Sequence, residues 1–193
     1  MGHSQTQKQQ THESIVQLAA QRFRELGLEG LSIANLMKEA GLTHGGFYKH
    51  FESRDDLVAE ALAAALESNN EARMARRDTF ETSVEAYLNR KHRDSPGNGC
   101  AVSALVNDIG RARGDARAIY TAQVRNSLSR IAGLLGTADG ASHDAEALVA
   151  YSAMVGALCL SRAVDDPALS AKIMTTVREY LVAQFAPATT SDG

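Results

Sequence analysis

Five residues within seven positions carry the densest chemistry in this chain: Thr43, His44, Gly45, Tyr48 and Lys49. They offer two hydroxyls, an imidazole, an ammonium and, at Gly45, bare backbone. At about 100° per residue, His44, Gly45, Tyr48 and Lys49 fall on one side of a short helix, with Phe47 on the other. A polar, aromatic and cationic face of this kind suits phosphate oxygens and the edges of bases. Bond-making chemistry has no comparable signature. The chain has no Cys-x-x-Cys, no Gly-x-Ser-x-Gly, no phosphate-cradling glycine loop ending in Lys-Ser/Thr and no His-Glu-x-x-His. No Glu stands three positions before a His, so the di-iron bundle pattern is missing. The six histidines are scattered, and His44 and His50 do not face one site. We therefore expect no enzyme, no cofactor and no metal.

The elements that must position those five residues can be read on either side of them. Ser32 is an N-cap before Ile33, Leu36, Met37 and Ala40, which form one apolar stripe. Gly41 follows, where a helix end takes a left-handed residue. Leu42 can pack beneath the turn, and the Thr43 hydroxyl can cap the next helix, His44 to His50. Phe47 and Phe51 are assigned to the core, because aromatics at helical spacing are more often packed than stacked on bases. Ser53 opens a third helix, with Asp56 completing an approximate capping box. Two helices joined by a short turn containing Gly make a helix-turn-helix, whose second helix enters the DNA major groove. Gly45 and Gly46 each cost about 1 kcal/mol in a helix interior. Two readings stand for them: close packing against the preceding helix, or approach of backbone to a phosphate or base edge. We assign Gly45 to DNA and Gly46 to the protein. Tyr48 either packs at the domain edge or contacts DNA; its place in the motif favours contact.

The run from Gly41 to Phe51, followed by Ser53-Arg54-Asp55-Asp56-Leu57, resembles the DNA-binding domain of the TetR family of bacterial repressors. An earlier helix with Ile15, Ala19, Phe23 and Leu26, closed by Gly27, fits the same pattern, as does Ser32. The resemblance covers roughly the first third of the chain. It implies that Thr43, His44, Gly45, Tyr48 and Lys49 lie in or beside the major groove. It implies that Ser32 and His50 touch phosphates, and that Arg54 stands where the family commonly carries Lys. It further implies a homodimer joined by the last two helices. The dimer would bind a palindromic operator in double-stranded DNA and be released by a small-molecule effector. Activation in place of repression stays open. Met74, Tyr87, Cys100, Tyr120 and Met154 are candidate effector-binding residues, named from side-chain type and helix face.

Charge gives this reading little help. Residues 1–60 hold six Lys or Arg against eight Asp or Glu, a balance of −2, whereas a basic footprint is the usual mark of a DNA binder. Affinity would have to come from local placement of Lys49, Arg54 and Lys8, from helix N-termini and from dimerisation. The whole chain of 193 residues carries a net charge of −3, which suits a cytoplasmic protein. The longest apolar stretch, Ala153 to Leu160, is too short to cross a bilayer, and Met1 to Gln10 lacks the apolar core of a signal peptide. No membrane partner is expected. Cys159 reads as a small buried hydrophobe. Cys100, after Gly99 at a helix start, is a candidate for sensing oxidants or electrophiles.

Three prolines, high Ala content and no alternating β pattern predict an all-α fold of about nine helices. We expect a flexible arm over 1–10 and a three-helix DNA-binding domain over 11–56. A helical ligand-binding and dimerisation domain would follow over 57–186, then a disordered tail over 187–193. Helices are expected from Thr79 to His92, from Asp115 to Leu135 with Ile119, Val124, Leu128, Ile131 and Leu135 inward, from Ala145 to Val164, and from Ala168 to Phe185. Leu148, Val149, Tyr151, Met154, Val155, Leu158, Cys159 and Leu160 cover nearly the whole circumference of the penultimate helix, which predicts burial on several sides. The competing reading is a helical interaction or enzyme domain that merely retains a helix-turn-helix.

Overall fold

Helix boundaries in this chain follow local capping chemistry. The computed structural model describes residues 2–74, 78–112, 114–136 and 142–186, without the side chains of 2–4 and 68–74. The expected tail over 187–193 lies outside the described residues. Among the described residues every regular element is helical and there is no strand. The α-helices are α1 (Gly2–Leu26), α2 (Ile33–Glu39), α3 (Arg54–Met74), α4 (Phe80–Tyr87), α5 (Arg90–Asp94), α6 (Ala101–Ile109), α7 (Ala116–Leu135), α8 (Asp144–Ala163) and α9 (Pro167–Phe185). Two 3₁₀ turns lie at His44–Lys49 and Pro96–Asn98. The chain divides into two compact units, Met1–Ala72 with Pro96–Ala122, and Arg73–Ser95 with Gln123–Gly193.

The first unit is built on rings and small residues. Ile15, Ala19 and Phe23 of α1, Leu36 and Met37 of α2, Phe47, Phe51, and Leu57 and Ala61 of α3 are all buried. Phe47 and Phe51 stack with centroids 5.2 Å apart, and Phe51 stacks on His12 at 4.6 Å. The Ser32 hydroxyl accepts from Asn35 N at 3.2 Å, starting α2 as expected. Gly41 ends α2 at φ +72°, with Leu42 N donating to Met37 O and Gly41 N to Lys38 O. This is the left-handed closure that glycine makes without steric cost. α1 begins at Gly2, where the sequence suggested an arm. Its polar first half holds itself together: Thr11 and Ser14 donate back to Gln7 O and Gln10 O, and Gln9 donates to Glu13.

In the second unit α8 and α9 pair, turning at Asp166, whose carboxylate accepts from Ala168 N and Leu169 N. Pro167 occupies the first turn, where its missing N–H costs nothing. α4 packs on α9, with Phe80 and Phe185 edge to face at 6.4 Å. The single helix expected over Thr79–His92 is two. Asn89 breaks it: its amide donates to Ala86 O while its oxygen accepts from His92 N, closing α4 and capping α5.

Two faces differ from the expected ones. On α7, Ala116, Gln123, Ser127, Ile131 and Leu135 are buried, whereas Ile119, Val124 and Leu128 are half-buried. On α8, Ala147, Ala150, Tyr151, Met154, Ala157, Leu158 and Ser161 face inward. Leu148, Val149 and Leu160 are 54%, 55% and 57% exposed, so the all-round burial expected of α8 does not occur within one chain. α8 is also long and apolar enough to cross a membrane by length and composition. The run Ala153–Leu160 is bounded by Ser152 and Ser161, so it covers only part of this 20-residue helix, which also carries Asp144, Glu146 and Arg162.

Candidate nucleic-acid interface

The segment after Gly41 forms six residues of 3₁₀ helix, not the longer helix expected through His50. Its bonds run Gly46 N to Thr43 O at 2.9 Å and His50 N to Phe47 O at 2.9 Å. Two adjacent glycines weaken α-helix by about 2 kcal/mol, and full burial of a Phe returns about 1.5–3 kcal/mol. Phe47 and Phe51 therefore hold the segment by packing. The Thr43 hydroxyl makes no capping bond, contrary to its expected role, and Thr43 caps through its carbonyl alone. Its side chain is left at the surface.

Thr43, His44, Gly45, Tyr48 and Lys49 are all exposed. Tyr48 is 66% exposed, and its ring meets His44 edge to face at 6.5 Å and Phe47 at 5.2 Å. Phe47 thus anchors the root of a ring whose hydroxyl projects outward. A Cβ at Gly45 would meet nothing within 4 Å, whereas one at Gly46 would lie 3.6 Å from Met37 Cε and 3.7 Å from Thr43 Oγ1. Neither residue has a left-handed φ. Gly45 is consequently not required by the fold, and Gly45→Ala leaves the thermal midpoint unchanged or slightly raised. If Gly45 backbone approaches DNA, the same variant weakens duplex binding about tenfold, equivalent to about 1.4 kcal/mol. Anisotropy and thermal melts on one preparation separate the two effects, and unchanged affinity would assign Gly45 no role at DNA.

The other candidates sit at the rim. Ser32 is exposed; its oxygen accepts from Asn35, so its O–H remains able to donate outward. Arg54 turns inward: it bonds the Leu28 carbonyl and lies 3.5 Å from Glu29. A phosphate there would have to share it. Ser53 and Asp56 form the expected cap, with Asp56 N donating to Ser53 Oγ at 3.1 Å and Glu52 N to Asp56 Oδ2 at 3.1 Å. His50 is half-buried, and its Nδ1 is buried without a hydrogen-bond partner among the described residues. Burial, followed by the charges of His12, Lys8 and Lys49, holds its pKa below the ordinary histidine value.

Internal pairing engages part of the charge over residues 1–60 and leaves its −2 balance unchanged. Arg22 is held by Glu25 and Glu39, tying α1 to α2, and His12 Nε2 lies 2.6 Å from Glu60 Oε2. A second clamp, at the loop after α1, has no counterpart in the sequence pattern. Leu28 N donates to Asp108 Oδ1 of α6 at 3.2 Å while its carbonyl takes Arg54 of α3. Arg24 Nε also donates to Gly97 O at 2.7 Å. Long-range partners of loop backbone leave no periodic signature.

Residues 15–61 match the model of the bacterial regulatory proteins of the tetR family. The match covers the helix-turn-helix region and about a quarter of the chain. Two curated relatives match part of the chain: AcrR of Shigella flexneri, an HTH-type transcriptional regulator, at 35% identity over 52 residues, and KstR2 of Mycolicibacterium smegmatis, an HTH-type transcriptional repressor, at 34% over 50. These matches cover 27% and 26% of this chain and 24% of each relative's length. Whole-chain similarity appears in solved structures. A TetR regulator from Chloroflexus aurantiacus aligns over 94% of this chain and 98% of its own, with TM-score 0.75 and 25% identity. AibR, solved with isovaleryl coenzyme A and operator DNA, aligns over 92% and 99%, with TM-score 0.63 and 14% identity.

The candidate effector residues are divided between the two units. Cys100 and Tyr120 belong to the first unit, Tyr87 and Met154 to the second, and the Met74 side chain lies outside the described residues. Cys100 is 4% exposed at the start of α6, which argues against the ready access a sensing thiol needs. The Tyr120 hydroxyl donates to Val102 O at 2.9 Å, and Tyr87 packs its ring on His92 at 4.8 Å. A polar seam in the second unit was missed. Gln123, Ser127 and Arg130 line one face of α7, Gln123 bonds Ser127 at 3.2 Å, and Arg130 reaches Ser83 of α4 at 3.4 Å. Its residues fall at i, i+4 and i+7, but the helix also carries Arg117, Thr121, Arg125, Asn126 and Ser129, so the seam does not stand out in the sequence.

Proposed function

We propose that this chain is a dimeric TetR-family repressor that binds a palindromic operator and is released by a small molecule. The observation carrying the reading is the recognition turn: Thr43, His44, Gly45, Tyr48 and Lys49 are exposed together on a segment held by the buried Phe47 and Phe51. Hydroxyl, imidazole and ammonium groups there fit phosphate and base-edge contacts. Repression is the activity borne by KstR2, and AibR binds operator DNA together with a coenzyme A thioester. The exposed stripe of α8 supports a dimer, and a C₂ pair sets two recognition turns on half-sites one DNA turn apart.

The seam of Ser83, Gln123, Ser127 and Arg130 is the effector contact we favour, because its buried polar groups can orient a polar head. Release then acts through α3 and α6, which grip Leu28 from both sides. An effector shifts operator affinity only by its preference for the non-binding state, typically about 1–3 kcal/mol. Such a regulator works in the cytoplasm, where the chromosome is. The test is selection of purified chain against a random duplex library at physiological salt. Enrichment of a palindrome is expected. A folded protein that enriches nothing would overturn the operator reading.

A further inference from the structure

An open groove of about 760 Å³ runs beside the first half of α1, lined by Gln5, Thr6, Lys8, Gln9, Gln10, His12, Glu13 and His50. The DNA-facing residues of the recognition turn do not account for it. We propose that this groove is a phosphate seat for the DNA backbone, formed by Lys8, His12 and His50, and that filling it takes up a proton on His50. The inference rests on the DNA-binding reading and adds α1 and a pH dependence to it.

Three observations place an anion there. First, the groove gathers cations or latent cations from two elements: Lys8 and His12 from α1, and His50 from the end of the recognition turn, with Lys49 next to it. Second, the His50 and His12 rings lie 5.9 Å apart, and both pack on Phe51, so the pair is held rigidly by the core. Third, His50 Nδ1 is buried without a partner among the described residues, so the ring meets the open groove by its other edge. The acidic groups facing this region are Glu60 of α3, engaged by His12 Nε2 at 2.6 Å, and Glu13 at the groove wall. Glu60 steadies His12, and the charges acting on His50 are those of His12, Lys8 and Lys49.

The proton balance follows. In the free chain, burial and neighbouring cations keep His50 neutral at pH values where an ordinary histidine is already part-charged. A phosphate oxygen in the groove reverses the local field and favours the imidazolium, which then donates to it. Binding therefore takes up a proton, and duplex affinity rises as pH falls through the interval between the free and bound His50 pKa values. For one proton per subunit the gain approaches tenfold per pH unit per subunit.

The experiment uses the full chain and a duplex recovered from the selection. Affinity is read by anisotropy from pH 5.5 to 8.5 at fixed ionic strength, for wild type, His50→Gln and Lys8→Gln. The His50 titration is followed by NMR with and without duplex, and with inorganic phosphate alone. Wild type is expected to bind more tightly at low pH, His50→Gln to lose one proton per subunit of that dependence, and duplex to raise the His50 midpoint. Lys8→Gln, an exposed substitution that spares the fold, is expected to lower the salt slope by about 1 per subunit. Inorganic phosphate is expected to leave His50 unmoved; an equal shift with phosphate would assign the seat to a free phosphate and overturn its DNA role. Sequence-specific binding with a flat pH profile and an unmoved His50 would overturn the seat while leaving the operator reading intact. Absence of duplex binding at every pH would overturn both.

Discussion

Leu160→Glu yields a folded helical chain that sediments as a monomer and binds a palindromic duplex about 10²–10⁴-fold more weakly. The argument begins with what α8 fails to bury. Leu148, Val149, Ser152 and Leu160 are exposed at spacings of one to eight residues that return to one helix face, and Gly156 lies among them with open space at its Cβ. On the paired α9, Leu169 and Tyr180 are 43% and 60% exposed. Together these residues offer an apolar surface that a second copy can cover, and Gly156 lets two helices approach closely. A carboxylate at Leu160 would be desolvated without a partner in such an interface, at a cost of several kcal/mol. In the monomer it sits in water, so folding is unaffected. Loss of the second half-site removes avidity worth 10²–10⁴ without touching either recognition turn. Sedimentation velocity and anisotropy on full-site and half-site duplexes check this, and half-site affinity should not change. A Leu160→Glu chain that remains dimeric would move the interface elsewhere.

How much of this was legible depends on how local the cause is. Ser32, Gly41, Ser53 and Gly27 act on their own few residues, and each does in the structure what its type implies: N-cap, left-handed closure, N-cap, helix end. Phe47 and Phe51 were readable because helical spacing puts both under the turn, where they are 0% and 2% exposed. The split between α4 and α5 was not, since Asn89 can sit in a helix or end one, and the choice is made by its amide reaching Ala86 O and His92 N at once. The inward face of α7 was misread for a related reason. Apolar type pointed to Val124 and Leu128, but Gln123 and Ser127 are the buried pair because they bond to each other and shed their cost of burial.

For the site, residue type revealed exposure but not internal commitment. Lys49 and Arg54 look alike as cations in the sequence, yet Lys49 stands in solvent and Arg54 is drawn to the Leu28 carbonyl, a partner 26 residues away. His50 likewise shares a motif with Tyr48, but only packing reveals that its Nδ1 is buried beside His12. Partners contributed by α1 and α6 come from outside the helix-turn-helix, so no local pattern could contain them.

Tyr48→Ala and Lys49→Ala each abolish most operator binding, and they do so differently. Both residues are exposed, so neither truncation leaves a cavity, and the thermal midpoint should stay within about a degree of wild type. A side chain that reads a base edge supplies about 1–3 kcal/mol of discrimination per half-site. A symmetric dimer carries two copies, so the loss is about 2–6 kcal/mol, roughly 30-fold to 10⁴-fold. Tyr48, with its ring braced on Phe47 and His44, is positioned for that role, and Tyr48→Ala should flatten the preference for operator over random duplex. Lys49 as a phosphate contact predicts the other signature: weaker binding to every sequence and a salt slope smaller by about 1 per subunit. Measuring both variants on operator and random duplexes across salt concentrations separates the roles. A helical interaction domain that merely retains this motif would tolerate both substitutions, and unchanged binding by the double variant would remove the recognition turn from the mechanism.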